Sequence, residues 1–486
     1  MVASLFVLAA CAGPRLDPVR ALPVDVDAIA VLRPAGDLAD RTTALFQRLP
    51  EAVGAADLLR SVTGFDLRSA EATRQQGLDP QRSLAIAWWK GALVVAIPVD
   101  DRDIASRRLG LRMARLGFVE ETTGETQIRR FHDLRDKGRG ALLRVDKDVA
   151  LACVGPTKSC AGLQTLAPAA AGGGAGDLAV AAAVEAGLAD GDLSVWVGND
   201  LLMALAKRQF GLVPPGGAAG ILLRAAIGDL RLVASLDQGL QVRAVFGPNG
   251  DPLACPSAPA TLQSGVLARA DVDLGSLPDG LMNGLLDACG PACRADGLGD
   301  TSAILKAWDG RATVALLVAS DPAAGPVTGV RAFLRRAVAV AGAGLRPSNG
   351  ASVGLSAAAL LASRLGVSTL PWADSDLEGL AGVAQDGLEV AAATRGDILV
   401  GAAGRGAEAA GRNLALGRLA GLAGVPPVLA SGKLVRVAVD PSGWVEALGG
   451  LGIEFVRHLA SAVRIVGVEA SLADGRLTVD AIIRLR

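Results

Sequence analysis

The chain has 486 residues, enough for two or three domains with cores of their own. Its 48 basic and 49 acidic side chains nearly cancel and no basic block stands out, which argues against the basic stripe of a nucleic-acid binder. Apolar residues make up 51% and mean hydropathy is +0.40, yet no apolar run reaches the roughly 18–20 residues that span a bilayer as a helix.

In chain order, the first feature is a short apolar stretch, residues 2–8, leading into Leu8-Ala9-Ala10-Cys11. A cysteine placed after two small residues at the end of such a stretch resembles a bacterial lipoprotein signal. The resemblance covers the first dozen residues. It implies that residues 1–10 are a signal peptide, that Cys11 is the lipidation site, and that residues 11–23 form a tether. Ala12-Gly13-Pro14 does not continue a helix or strand comfortably, which suits a tether. Ala12, rather than Asp, after the cysteine implies by the same resemblance an outer-membrane location facing the periplasm or the cell surface. No Lys or Arg precedes the apolar core, so this signal lacks the usual charged n-region.

The rest of the chain reads as two similar halves, 24–246 and 264–486. They are separated by a linker at 247–263 that holds Pro248, Pro252, Pro256 and Pro259. Each half opens with a strand and a helix, at 26–33 and 36–49 in the first and at 266–272 and 274–288 in the second. Each then reaches a Trp-x-Gly turn between two strands: 85–89, Lys90-Gly91 and 92–99 match 304–308, Asp309-Gly310 and 311–319. A helix with basic residues on one face follows at 102–116, matched to 327–342. A hairpin comes next, at 142–154 and again at 389–403. Each half closes with a strand, a helix and a last hairpin, where Asp237, Leu240, Val242 and Ala244 are echoed by Asp474, Leu477, Val479 and Ala481. The closing helices fall at 200–210 and 443–460. Low-complexity loops are expected at 167–176 and 343–351. Hairpins outnumber crossovers, which predicts an α+β class: two related domains, each a mainly antiparallel sheet with helices packed on one face.

If Cys11 is acylated, five cysteines remain: Cys153, Cys160, Cys255, Cys289 and Cys293. An exported compartment permits disulfides. Nearness in sequence favours Cys289 with Cys293 and Cys153 with Cys160, with Cys255 left over, although other pairings stay open.

Residues that carry chemistry are sparse. Gly404-Arg405-Gly406 with Gly411 mimics a dinucleotide fingerprint, but the last spacing is too long and no acidic residue follows at the ribose position. It reads as a glycine-rich turn. Cys289-Gly290-Pro291-Ala292-Cys293 has three residues between its cysteines and follows a predicted helix, unlike a thioredoxin-type redox loop. His132 and His458 stand alone, so no metal site is expected, nor is any cofactor. Trp88 and Trp89 are adjacent on a strand and must face opposite sides, one towards the core and one outwards. The expectation is a lipid-anchored envelope protein with a non-catalytic binding or scaffolding role. Its expected partners are the membrane, through the N-terminal lipid anchor, an envelope protein and a lipid ligand, with no nucleic acid. Carriage of an apolar ligand in a domain cavity is the alternative, and an unrecognised hydrolase is the second.

Overall fold

The structure is a computed structural model. It describes residues 17–47, 69–121, 128–164, 184–210, 228–247, 256, 262, 265–277, 307–318, 337–346, 350–374, 377–418, 429, 432–441 and 462–485, apart from 24, 190, 238, 276, 365, 385 and 475. Mixed helix and strand are present, with antiparallel sheet dominating. Two compact units emerge, one built mainly from elements up to Ala244 and the other mainly from those after Pro256.

In the first unit the order is β1 (Ala28–Leu32), α1 (Ala35–Gln47), α2 (Ala70–Arg74), β2 (Leu84–Trp89), β3 (Ala92–Pro98), α3 (Arg102–Arg115), β4 (Phe118–Glu120), β5 (Ile128–Asp133), β6 (Arg139–Val145), β7 (Val149–Pro156), α4 (Thr157–Gly162), β8 (Leu193–Val197), α5 (Asn199–Phe210), β9 (Asp229–Ser235) and β10 (Gly239–Gly247). Its strands pair in the order β4-β5-β6-β7-β3-β2-β1-β8-β9-β10. The second unit has β11 (Val266–Asp273), β12 (Trp308–Val318), β13 (Ala337–Leu345), α6 (Gly350–Arg364), β14 (Leu370–Asp374), β15 (Leu377–Val383), β16 (Glu389–Arg395), β17 (Ile398–Gly404), α7 (Ala407–Ala415), β18 (Lys433–Val439), β19 (Val463–Ala473) and β20 (Arg476–Leu485). Its order is β14-β15-β16-β17-β13-β12-β11-β18-β19-β20, the same step for step.

Helices cover both faces of each sheet, not one as the sequence suggested. In the first unit Leu142, Leu151 and Cys153 pack with Cys160 of α4, while Leu143, Ala150 and Ala152 pack with Ala105, Leu109 and Met113 of α3. Side chains alternate across a strand, so these two sets point to opposite faces. The reason is legible in β6 and β7, whose apolar runs are almost continuous and are buried along nearly their whole length. In the second unit, Ala393, Val400 and Ala402 pack with Ala407 and Leu414 of α7, and Val390 with Ala362 of α6.

Three local expectations are corrected. Asp309-Gly310 is no hairpin turn: β12 runs through it with a register shift between Trp308 and Ala312, and Gly310 adopts φ 100°. Residues 337–342, expected at the end of a helix, belong to β13. Its Ala-Val-Ala-Val alternation fits a strand, and pairing with β12 on one side and β17 on the other decides between the two states. Of the loop expected at 343–351, residues 343–345 are the end of β13 and 350–351 the start of α6, while 347–349 lie outside the described residues.

Residues 17–23, expected as tether, are packed: Val19 and Leu22 are 0% and 2% exposed and join the core beneath β2 and β3. Of the proline-rich linker only Gly247, Pro256 and Leu262 lie within the described residues, and Pro256 is buried. Of the helix expected at 274–288, the described residues 274, 275 and 277 are not helical; 278–288, the helix expected at 443–460, the loop at 167–176, and Cys11, Cys255, Cys289, Cys293 and His458 lie outside the described residues.

Candidate surface groove

Among the described residues, an open groove of ≈ 670 Å³ lies in the first unit between α3 and strands β4 and β5. Asp101 caps α3, its carboxylate accepting from the backbone N–H groups of Asp103 and Ile104 at 3.0 Å each. Gly117, with φ 91°, follows the last turn and lets the chain reverse into β4. Ala105, Leu109 and Met113, spaced one turn apart, hold the helix to the sheet.

Arg129 forms the floor of the groove. Its Nε and Nη2 donate to the two carboxylate oxygens of Glu120 at 2.7 and 2.6 Å, and its Nη1 donates to the Ser106 carbonyl at 2.8 Å. The guanidinium also lies 5.5 Å from the Phe131 ring centroid. Space for it comes from Gly110 in the middle of α3, where a Cβ would sit only 2.2 Å from Arg129 Nη1. The hydrogen bond from Arg129 holds the Glu120 carboxyl below its ordinary 4.5, and Glu120 in turn raises Arg129 further above its ordinary value. Both groups are thus ionised near neutrality. The pair gives the groove a fixed, mutually neutralised floor, and its walls carry Arg107 and Leu111.

Three other ionic clusters among the described residues are paired in the same way. Asp192, 4% exposed, pairs with Arg33 at 2.9 Å and Arg41 at 3.2 Å, and accepts from the Leu236 backbone N–H at 2.8 Å. Glu469 bonds Lys433 at 2.9 Å and Arg436 at 2.7 Å. Burial alone would raise the Glu469 carboxyl, but the two cations outweigh it and hold it below 4.5. Hydrogen bonding to Asp309 pushes Arg311 upwards in the same way.

The residues singled out from sequence fall as follows. Cys153 on β7 and Cys160 on α4 are joined in a disulfide, with their Cα atoms 5.5 Å apart. Trp89 is buried and donates through Nε1 to Asp25 at 2.9 Å, whereas Trp88 is 38% exposed beside Leu93 on β3. His132 is exposed, its Nδ1 3.7 Å from Glu121. Gly406 adopts φ 80° before α7, and Gly411 lets that helix approach Ala391 and Ala402, where a Cβ would meet their Cβ atoms at 3.1 and 3.6 Å. These glycines serve a turn and a helix–sheet contact. Among the described residues no group of three or more His, Cys, Asp or Glu is placed to hold a metal, and no helix is long and apolar enough to cross a membrane. Sequence reasoning missed Arg129, Glu120 and Gly110. The signal was an isolated glycine in a helical pattern, which commonly marks a close approach.

No family model matches the chain, and no curated protein matches it. Among solved structures it is similar to TP0453 in its crystal form I, at 9% identity over 48% of this chain and 79% of that one, with a TM-score of 0.24. A likeness of that degree carries neither fold nor function across.

Proposed function

We propose that this chain is a lipid-anchored protein of a bacterial envelope with a non-catalytic binding role, built as two related α+β domains, the first of which includes residues 17–23 in its core. The anchor rests on Leu8-Ala9-Ala10-Cys11, with Cys11 acylated. Relatedness of the domains is supported by the ten-strand order that both units follow. The observation that carries the binding role is the open groove beside α3, whose charged floor is already paired and so offers a shaped surface, not a reactive group.

Cys11→Ser in the full-length protein tests the anchor. The variant is expected to leave the membrane fraction, and retention in the pellet after a salt wash overturns the reading. A second reading, carriage of an acyl chain, is favoured by the exposed cross-strand pair Trp88–Leu93. Native mass spectrometry separates the two, because a carrier retains lipid at fixed stoichiometry.

A further inference from the structure

We propose that the outer face of α3 is a docking surface for a bilayer rich in anionic headgroups. The inward side of the helix is settled by Ala105, Leu109 and Met113 against the sheet. On the opposite side Ile104 and Leu111 lie two turns apart along one line, 39% and 53% exposed. Arg107 flanks that line on one side, Arg108 and Arg115 on the other, and all three are exposed. Leu116, 53% exposed, and Val119, 41%, continue the aliphatic surface past the end of the helix.

Among the described residues none of Arg102, Arg107, Arg108 and Arg115 has a hydrogen-bonded or ionic partner, so their charges face solvent unneutralised. The helix carries five arginines against one aspartate. Arginines alone would suit an acidic protein. Large aliphatic side chains set between them suit a boundary where phosphate oxygens and hydrocarbon lie within a few ångströms of each other. A helix of 14 residues lying flat places guanidinium groups at the headgroups and Ile104 and Leu111 beneath them.

The proposal deepens the envelope reading by adding a second, reversible membrane contact to the acyl anchor, and its test removes the anchor. Full-length protein carrying Cys11→Ser is mixed with vesicles of phosphatidylcholine alone, or with about one third phosphatidylglycerol, and partition is read by co-sedimentation. Any insertion of residues 2–8 is common to both vesicles, so the readout is the difference between them. Partition to the anionic vesicles is expected to exceed that to neutral ones by about tenfold or more, and to fall as salt rises.

Replacing Arg107, Arg108 and Arg115 together by Glu is expected to weaken anionic partition by roughly 100-fold, while the triple Lys variant stays within about threefold of the parent. Leu111→Asn is expected to lose about tenfold. Equal partition to both vesicle types, or a triple Glu variant that binds like its parent, overturns the proposal. Either result leaves the Cys11 anchor standing, because that is read separately by membrane fractionation of the unmodified chain.

Discussion

The helix between β3 and β4 and the helix between β13 and β14 occupy the same step of one strand order, yet their outer surfaces share almost nothing. Helix α3 reads Arg-Asp-Ile-Ala-Ser-Arg-Arg-Leu-Gly-Leu-Arg-Met-Ala-Arg. Helix α6 has only Arg364 as a charged residue, among Ala, Ser, Gly and Leu. Inward, both meet the same demand with small or aliphatic side chains: Ala105, Leu109 and Met113 in one, Gly354 and Ala362 in the other. The short helices after β7 and β17 differ in the same spirit. A disulfide pins α4, whereas Gly411 seats α7 and the Arg412 guanidinium rests 4.8 Å from the Trp372 ring centroid. The strand order thus constrains the buried stripe of each connecting helix and leaves its outer face free, and that outer face is where the two units diverge.

The largest way to break this comparison is to remove a buried charge from one unit. Asp192→Ala strips Arg33, whose side chain is 16% exposed, of its carboxylate, and is expected to cost about 3–5 kcal/mol. Glu469→Ala, at a more open site with its carboxylate 21% exposed, is expected to cost about 1 kcal/mol. Hydrogen exchange read by mass spectrometry on β1 and β8, against β11 and β18, reports each unit separately. Equal losses in both would mean that the deeper burial of the Asp192 cluster adds nothing over the more open Glu469 cluster. Next in size is the disulfide. Reduction, or Cys160→Ser, opens a short loop between β7 and α4 and is expected to cost the first unit about 2–3 kcal/mol. Protection around α7 should not change.

How much of this was legible in the sequence depends on where the deciding force lies. The Trp88/Trp89 division followed from the two-residue period of a strand, and the hairpin of β6 and β7 from apolar runs broken by Asp146-Lys147. The helix α3 was readable from the basic residues along one of its faces. Residues 337–345 were not, because Ala-rich apolar sequence suits helix and strand alike and only pairing with two distant strands resolves it. The two-sided burial was available in the almost continuous apolar runs of β6 and β7, but it was outweighed by the count of hairpins. Arg129 and Glu120 are nine residues apart on different strands, and although Gly110 within a helical pattern signals a close approach, nothing local says which side chain approaches it.

Smaller effects sharpen the helix comparison at its glycines. At Gly354 an added Cβ meets only the Leu399 side chain, at 3.1 Å, so Gly354→Ala should gain much of the roughly 1 kcal/mol that Ala contributes to a helix interior. At Gly110 the same methyl collides with the Arg129 guanidinium, which is fixed by Glu120 and the Ser106 carbonyl. Gly110→Ala should therefore lose that hydrogen bond and be net destabilising by about 1 kcal/mol, as read by denaturant midpoint. If both substitutions stabilise, the guanidinium is less tightly held than its geometry implies.

The smallest expected effect is a pH dependence. Because Arg129 holds the Glu120 carboxyl below its ordinary 4.5, the native state binds fewer protons there than the unfolded chain. The resulting stabilisation is fully present above that value and disappears as the pH falls through the lowered folded one. Glu120 is 43% exposed, so solvent screening keeps the contribution below about 1 kcal/mol. Glu120→Gln should destabilise slightly at neutral pH and converge with the parent under acid conditions. Helix α6 has no carboxylate on its own turns to titrate, so the variant should leave the acid response of β14 and β15 unaltered in hydrogen exchange. A constant gap between variant and parent across that range would mean that the pair contributes through shape alone.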